Sequence, residues 1–475
     1  MEQVAQPAAN KRWLIFGVTA IGTFMSTLDS SIVNVALPEI SVSLHSTLPL
    51  VQWVVSAYLL SICCLLPLFG RAGDMFGRRR IYSLGFVAFT IGSIFCGSAS
   101  SIFALIVARI AQGVGAAMLM SNAPAIVAAT FTGPDRGRAL GMVGMVVALG
   151  SMTGPTVGGL LVDAIGWKSI FYVNVPIGIL GVLAAQALLP RQERRYQEIF
   201  DFKGAVLFAV AIIFFLLVVS HGQEWGWNSP LVIGLGVIAV LTFIAFIHQE
   251  KHTVSPMIDL KLFEIWAFLS GNITGLLSFM AAFCNTMLLP FYLASILHLP
   301  PAQIGLLMTP FPLMLVVVAP ISGYLSEQVN PAILSGIGLT VTTAGLVFIA
   351  TFDAQSTLLA VVLGQALLGL GNGLFQSPNN NSVMSSVPLT KLGIAGGINA
   401  LVRNVGMVCG IAFSVSIFEN RHAAALNGIL SPNLLQETTA FLYAYHIALT
   451  FGACLAGAGA LLSFYRSKHI KAARR

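Results

Sequence analysis

Charge is what this chain has least of. Only 9% of its 475 residues are Asp, Glu, Lys or Arg, against about 25% in soluble domains. With 57% hydrophobic residues and a mean hydropathy of +0.88, that scarcity excludes a soluble globular protein and requires an integral membrane protein. Cysteine is sparse too. All six (Cys63, Cys64, Cys96, Cys284, Cys409, Cys454) fall in apolar stretches, so no disulfide framework is expected. Metal-ligand spacing, a phosphate-binding glycine loop and a nucleophile–base motif are also missing. Neither catalytic residues, nor a metal site, nor a bound cofactor is expected.

Fourteen apolar stretches of about 18 residues or more run from 13–36 to 439–465. The first lacks a small-residue cleavage pattern and is expected to be retained. An even number of spans puts both termini on one side, and positive charge should collect on the cytoplasmic side. With cytoplasmic termini, 20 of the 24 Lys and Arg lie in inner segments. Lys168 and Arg421 are outside, and Arg109 and Arg403 lie within spans. The net charge of +7 therefore reads as topology plus contact with anionic lipid at the cytoplasmic face of the bilayer, not as nucleic-acid binding.

One acid, Asp29, sits clearly inside a hydrophobic run. Placing it there costs roughly 2.5–3.5 kcal/mol on insertion scales. Such residues face cavities and take up a proton or a cation, so a transporter is expected.

The chain repeats itself. An offset of 256 carries Gly113, Gly115, Gly150 and Gly154 to Gly369, Gly371, Gly406 and Gly410. An offset of 253 carries Pro67, Gly70 and Asp74 to Pro320, Gly323 and Glu327. Matches in one order imply two homologous six-span halves. The expected organisation is a cytoplasmic tail (1–12), a first half (13–189), a basic linker (190–203), two inserted spans (204–247), a second linker (248–265), a second half (266–465) and a basic tail (466–475). Parallel halves of this kind place a substrate site at their midplane interface.

Gly70–Arg80 (GRAGDMFGRRR) resembles motif A of major facilitator transporters, departing from it at Ala72 and Gly73. Arg109–Ala117 (RIAQGVGAA) resembles motif B, and Gly150–Gly159 (GSMTGPTVGG) resembles the antiporter-associated motif C. LDSSIVNVALP (28–38), WKSIFYVNVPIG (167–178), DFKG (201–204) and PMIDLKLF (256–263) are similar to the fourteen-span drug:proton antiporter-2 branch. The resemblance implies an all-α membrane protein of the major facilitator fold, with two six-helix halves and two inserted helices. It implies a proton-coupled exporter of lipophilic or amphipathic molecules in the cytoplasmic membrane, driven by the proton gradient.

In motif A, Gly70, Asp74, Gly77 and Arg78 are the expected inner gate, with Asp74 bonding across it; a topogenic basic loop is the alternative. In motif C, Gly150, Gly154 and Gly158 share one helix face, so a neighbour can pack closely. Pro155 can kink that span, and Gly159 completes the motif.

Asp29 lies about 8 residues, roughly 12 Å, from the outer end of its span. Arg109 lies at matching depth in the fourth span, which the resemblance places beside the first. The pair is expected either to couple protons or to serve as a static ion pair. The second half has Gln365 in place of Arg109 and Cys284 or Asn285 in place of Asp29. Candidate substrate contacts are Met25, Asn34, Trp53, Tyr58, Met118, Asn122, Phe171, Asn285, Gln376, Asn399 and Arg403, the last either a contact or packed against carbonyls. Asn379–Asn381 is expected to cap a span near the inner gate. Export of a specific lipid, siderophore, peptide or metabolite, or a non-transporting sensor, are the competing readings. A monomer is the default.

Overall fold

The structure, a computed structural model, describes residues 9–131, 134–190, 201–222, 225–253, 260–388, 391–427 and 433–473. Residues 1–8 of the first tail, 191–200 of the first expected linker and 254–259 of the second lie outside them. In lipid each backbone polar group must be satisfied within its own segment, which leaves the helix as the form for these apolar runs. Among the described residues there is no strand.

The first half comprises α1 (Ala9–Ser43), α2 (Leu48–Phe76), α3 (Arg78–Ser98), α4 (Ile102–Thr130) and α5 (Pro134–Ile165), then a short α6 (Ser169–Tyr172) leading into α7 (Asn174–Leu188). Two further helices follow, α8 (Phe202–His221) and α9 (Pro230–His252). The second half comprises α10 (Trp266–Ser295), α11 (Pro301–Met308) continuing as α12 (Pro310–Gln328), α13 (Pro331–Ile349), α14 (Leu358–Ser385), α15 (Leu392–Ala425) and α16 (Leu434–Ala473). Among the described residues, thirteen helical stretches are long and apolar enough to cross a membrane. α5, 32 residues long, covers the remaining expected span. Helix starts are set locally: Ser101, Ser229 and Thr357 accept from the backbone N–H of Ala104, Val232 and Ala360.

The repeat is visible as equivalent packing. A Cβ on Gly113 would meet Tyr58 and Ser61 of α2, and one on Gly369 would meet Phe311 and Met314 of α12. Gly115 lies against Phe89 of α3, and Gly371 against Thr342 of α13. Gly150 and Gly154 lie against α1; Gly406 and Gly410 lie against α10. Van der Waals contact is the main force between helices in lipid, and small residues let backbones approach. The same glycines therefore fix the same neighbours in both halves. The turns repeat as well. Among the described residues, the two non-glycines with positive φ are His45 (48°) and His298 (51°), again 253 positions apart.

Helix ends differ from the sequence expectation in three places. The loop expected after the second span is helical through Phe76, and the turn is made at Gly77 alone, whose φ of 95° suits glycine. Asn379–Asn381 lies inside α14 rather than capping it. The tail expected from residue 466 is a continuation of α16, and Arg466 is fully buried. Its Nη1 donates to Asn379 Oδ1 at 3.1 Å. Hydropathy falls at these places although the helices continue, with polar residues such as Asn379 and Arg466 turned into the protein, so a hydropathy boundary ends the span too early.

The halves meet where α5 packs on α11 and α12, α2 on α15, and α1 on α10 and α11. The first contact lies at the face opposite the termini. There a Cβ on Gly305 would stand 2.2 Å from the Pro155 carbonyl oxygen, and one on Gly159 2.5 Å from that of Pro301. The Thr156 and Thr309 hydroxyls are 2.6 Å apart. α8 lies against both α2 and α15, over the seam between halves, while α9 packs on α8 and exposes Ile233, Val237, Leu241 and Ile244.

Candidate functional site

Asp29, in the middle of α1, is fully buried. It does not face an open cavity, as the sequence suggested, but a closed nest within the first half. Arg109 Nη1 donates to its Oδ2 at 2.5 Å. Gln112 Nε2 and Asn174 Nδ2 both donate to Oδ1, at 2.8 and 2.9 Å. The pairing at equal depth brings α1 and α4 together, and α7 closes the third side.

The guanidinium is held through Nε and Nη1, while Nη2 is buried without a hydrogen-bond partner. Arg109 Nε donates to the Val54 carbonyl of α2 at 2.7 Å, and Nη1 also donates to Gln112 Oε1 at 2.6 Å. Its central carbon sits 4.1 Å from the Tyr58 ring centroid and 5.7 Å from that of Phe171, within cation–π range. Gln112 Nε2 also reaches Ser93 Oγ of α3 at 2.8 Å. Six helices, the short α6 among them through Phe171, thus share one ion pair. Removing one member of such a pair costs about 3–5 kcal/mol, because the other is left uncompensated.

Gln112 and Asn174 were absent from the sequence-derived site. Each had a signal: Gln112 is three residues from Arg109 and so on the same helix face, and Asn174 is the amide within the WKSIFYVNVPIG segment.

The inner-gate cluster differs from its expectation. Asp74 Oδ1 accepts from Arg78 Nε at 3.0 Å and Nη2 at 2.8 Å, and Arg78 Nη1 donates to the Ala125 carbonyl at 2.9 Å. These bonds fasten the α2–α3 corner to α4 within the first half. They do not cross to the second half. Gly70 lies near Ser121 of α4.

Motif C packs as its spacing implies. Gly150, Gly154 and Gly158 put α5 against Phe24, Ser31 and Ile32 of α1, and Ser31 Oγ donates to the Gly150 carbonyl at 3.2 Å. Gly159 turns the other way, to α11 of the second half.

The candidate substrate contacts divide. Met25, Tyr58, Phe171, Asn122 and Asn285 are buried and so are closed to cargo in this state. Tyr58 donates to the Ser26 carbonyl, and Asn122 to the Phe69 carbonyl. Asn34 is buried and donates to Ser30. Trp53, Met118, Gln376, Asn399 and Arg403 keep part of their surface accessible, and Asn399 Nδ2 donates to Asn380 Oδ1 at 2.6 Å. In the second half, Gln365 and Asn285 are buried and Cys284 Sγ lies 3.6 Å from the Gly410 carbonyl. No ion pair stands there among the described residues.

The sequence profile described as Major Facilitator Superfamily matches residues 19–270 and 271–469. The riboflavin transporter RibZ of Clostridioides difficile is 38% identical over 86% of this chain and 88% of its own. The multidrug resistance protein Stp of Mycobacterium tuberculosis is 34% identical over 88% and 77%. The tetracenomycin C resistance and export protein of Streptomyces glaucescens is 30% identical over 86% and 76%. A profile match on each half, on top of glycine packing that repeats from one half to the other, shows that the chain belongs to the Major Facilitator Superfamily and is a membrane transporter.

Proposed function

We propose that the protein is a proton-coupled exporter of lipophilic or amphipathic small molecules, working by alternating access in the cytoplasmic membrane with both termini in the cytoplasm. The observation that carries this reading is the sealed Asp29–Arg109 pair. A carboxylate stripped of water is a costly feature inside a bilayer, and such residues mark ion pathways and proton relays there.

The geometry supports a route from that acid to the closure between halves. Protonating Asp29 removes the charge that holds Arg109, loosening α1 from α4 and α7. α5 rides on α1 through the motif C glycines, and Gly159 of the same helix touches α11. A shift of α1 therefore reaches the contact that shuts the face opposite the termini. Asp74 and Arg78 brace the corner at the other face, and the halves rock as bodies.

Relatives named for multidrug resistance and for drug export favour a broad lipophilic cargo. A relative named a riboflavin transporter favours the second reading, a specific metabolite. Purified protein in liposomes, with an imposed pH gradient and a panel of drugs and metabolites, separates them. Gradient-driven movement of several unrelated compounds supports the first reading and of a single compound the second. Movement unaffected by collapsing the gradient refutes proton coupling.

A further inference from the structure

The two halves differ in charge as well as in contacts. In the first half the deep acid is cancelled by the deep cation, since Asp29 and Arg109 form one closed pair. In the second half, among the described residues, no acid pairs with a deep cation. Arg403 of α15 makes no hydrogen bond and no ion pair among the described residues, and its electrostatic neighbour is Cys63 of α2, across the seam between halves. Among the described residues Arg466 of α16 also has no acid partner, and its Nε and Nη2 are buried with no hydrogen-bond partner. Glu419 is on α15, but sixteen positions beyond Arg403, about 24 Å along the axis. It belongs to the opposite end of that helix.

Burial separates the two arginines. Arg466 is closed off on all sides. Arg403 lies deep within the protein, between α2 and the second half, yet keeps part of its surface accessible. Ionisable side chains within membrane spans almost always face the bundle interior or a water-filled cavity, and the accessible part of Arg403 is assigned to such a surface. Asn399 stands one turn away on the same helix, already tied to Asn380 of α14. A guanidinium is built to receive anionic oxygens by paired donation. An uncompensated charge in this surrounding repels a second cation as strongly as it attracts an anion.

We infer that the cargo surface of this transporter selects amphipathic organic anions, whose carboxylate or similar anionic oxygens Arg403 receives, over lipophilic cations. The inference rests on the transporter reading and names its cargo class. Asp29 cannot rescue a cationic cargo in this state, because Arg109, Gln112 and Asn174 occupy both of its oxygens.

Fluorescein and rhodamine 6G share a xanthene ring system and carry opposite charge. Binding of each to the purified full-length protein in nanodiscs is measured by fluorescence polarisation. Fluorescein should bind about tenfold more tightly or better, an ion-pair contribution of about 1.4 kcal/mol. Arg403→Gln should lose that preference, Arg403→Lys should restore part of it, and the melting temperature of Arg403→Gln should not fall, since no partner is abandoned. Tighter binding of rhodamine 6G, binding of neither dye, or a preference unchanged in Arg403→Gln would overturn the inference. Because the readout is binding, failure of wild type to move bound fluorescein against a pH gradient counts against proton-coupled export and leaves the charge preference standing.

Discussion

Gln112 and Asn174 hold the same oxygen of Asp29, one from α4 and the other from α7, at 2.8 and 2.9 Å. With Arg109 on the second oxygen, every strong acceptor direction of this carboxylate but one is used. Under the proposed proton coupling, neutralising Asp29 would weaken all three of these bonds together and so loosen α1 from α4 and α7.

Asp29→Asn should abolish gradient-driven efflux. It should also lower stability, by about 3–5 kcal/mol, because Arg109 is left buried without its counter-charge. Loss of transport in this variant alone is thus ambiguous. The double variant Asp29→Asn/Arg109→Gln removes both charges and should recover most of the melting temperature without recovering coupling. Gradient-driven transport at wild-type rate by the stable double variant would end the proton-coupling assignment.

Asn174→Leu isolates one hydrogen bond of the nest. A bond to a charged group is worth about 1.5–3 kcal/mol, so thermal unfolding should come several degrees earlier. Coupled transport should fall while the helices stay assembled. Calorimetry and liposome flux on one preparation test this; a variant as stable and as active as wild type would show that the nest does not depend on α7.

How much of this was legible in the sequence depends on the range of the signal. Asp29 stood out because a charge in an apolar run is rare. Arg109 followed from depth, and the repeat followed from glycines at a fixed offset. All three rest on the position of a residue along one helix. Which way a side chain turns was not legible. Asn122 and Met25 looked like cavity residues by depth and are buried, because helical phase is fixed only by packing against neighbours. Asp74 shows the same gap: its partner across a gate could not be told from a partner four residues away. The Gly159–Gly305 contact was hidden for another reason. It depends on how two halves dock, and neither half encodes that locally.

Asp74→Asn should slow turnover several-fold and leave cargo affinity within about twofold. Its pair with Arg78 is partly exposed, the side chains being 38% and 25% accessible, and such pairs add only about 0–1 kcal/mol to stability. The melting temperature should hardly move. What is lost is the brace at the α2–α3 corner. Affinity by fluorescence and turnover in liposomes separate the two effects. Weaker binding with an unchanged rate per bound molecule would move Asp74 from the gate to the cargo site.

Thr156→Cys combined with Thr309→Cys should form a disulfide under mild oxidation, since the native hydroxyls are 2.6 Å apart across the halves. The cross-link should stop transport, and reductant should restore it. Gly305→Ala should have the opposite bias. Its Cβ would crowd the Pro155 carbonyl at 2.2 Å, so closure at this face is disfavoured and the cross-link forms more slowly. A cross-linked protein that still transports at full rate would show that these ends need not separate.

The inserted pair should brace the seam and stay out of the pathway. Cys64 Sγ lies 3.9 Å from the Ala209 carbonyl, so α8 rests directly on α2. α9 has apolar side chains such as Val237 and Leu241 about half exposed, at 50% and 59%, which suits contact with lipid. Cys454 is the one exposed native cysteine, and replacing it by serine gives a quiet background for labelling. On that background, cargo should not slow alkylation of Leu241→Cys, whereas it should slow alkylation of Asn399→Cys, one turn from Arg403, several-fold. If cargo shields position 241 as strongly as position 399, α9 lines the pathway and the division between transporting halves and bracing pair is wrong.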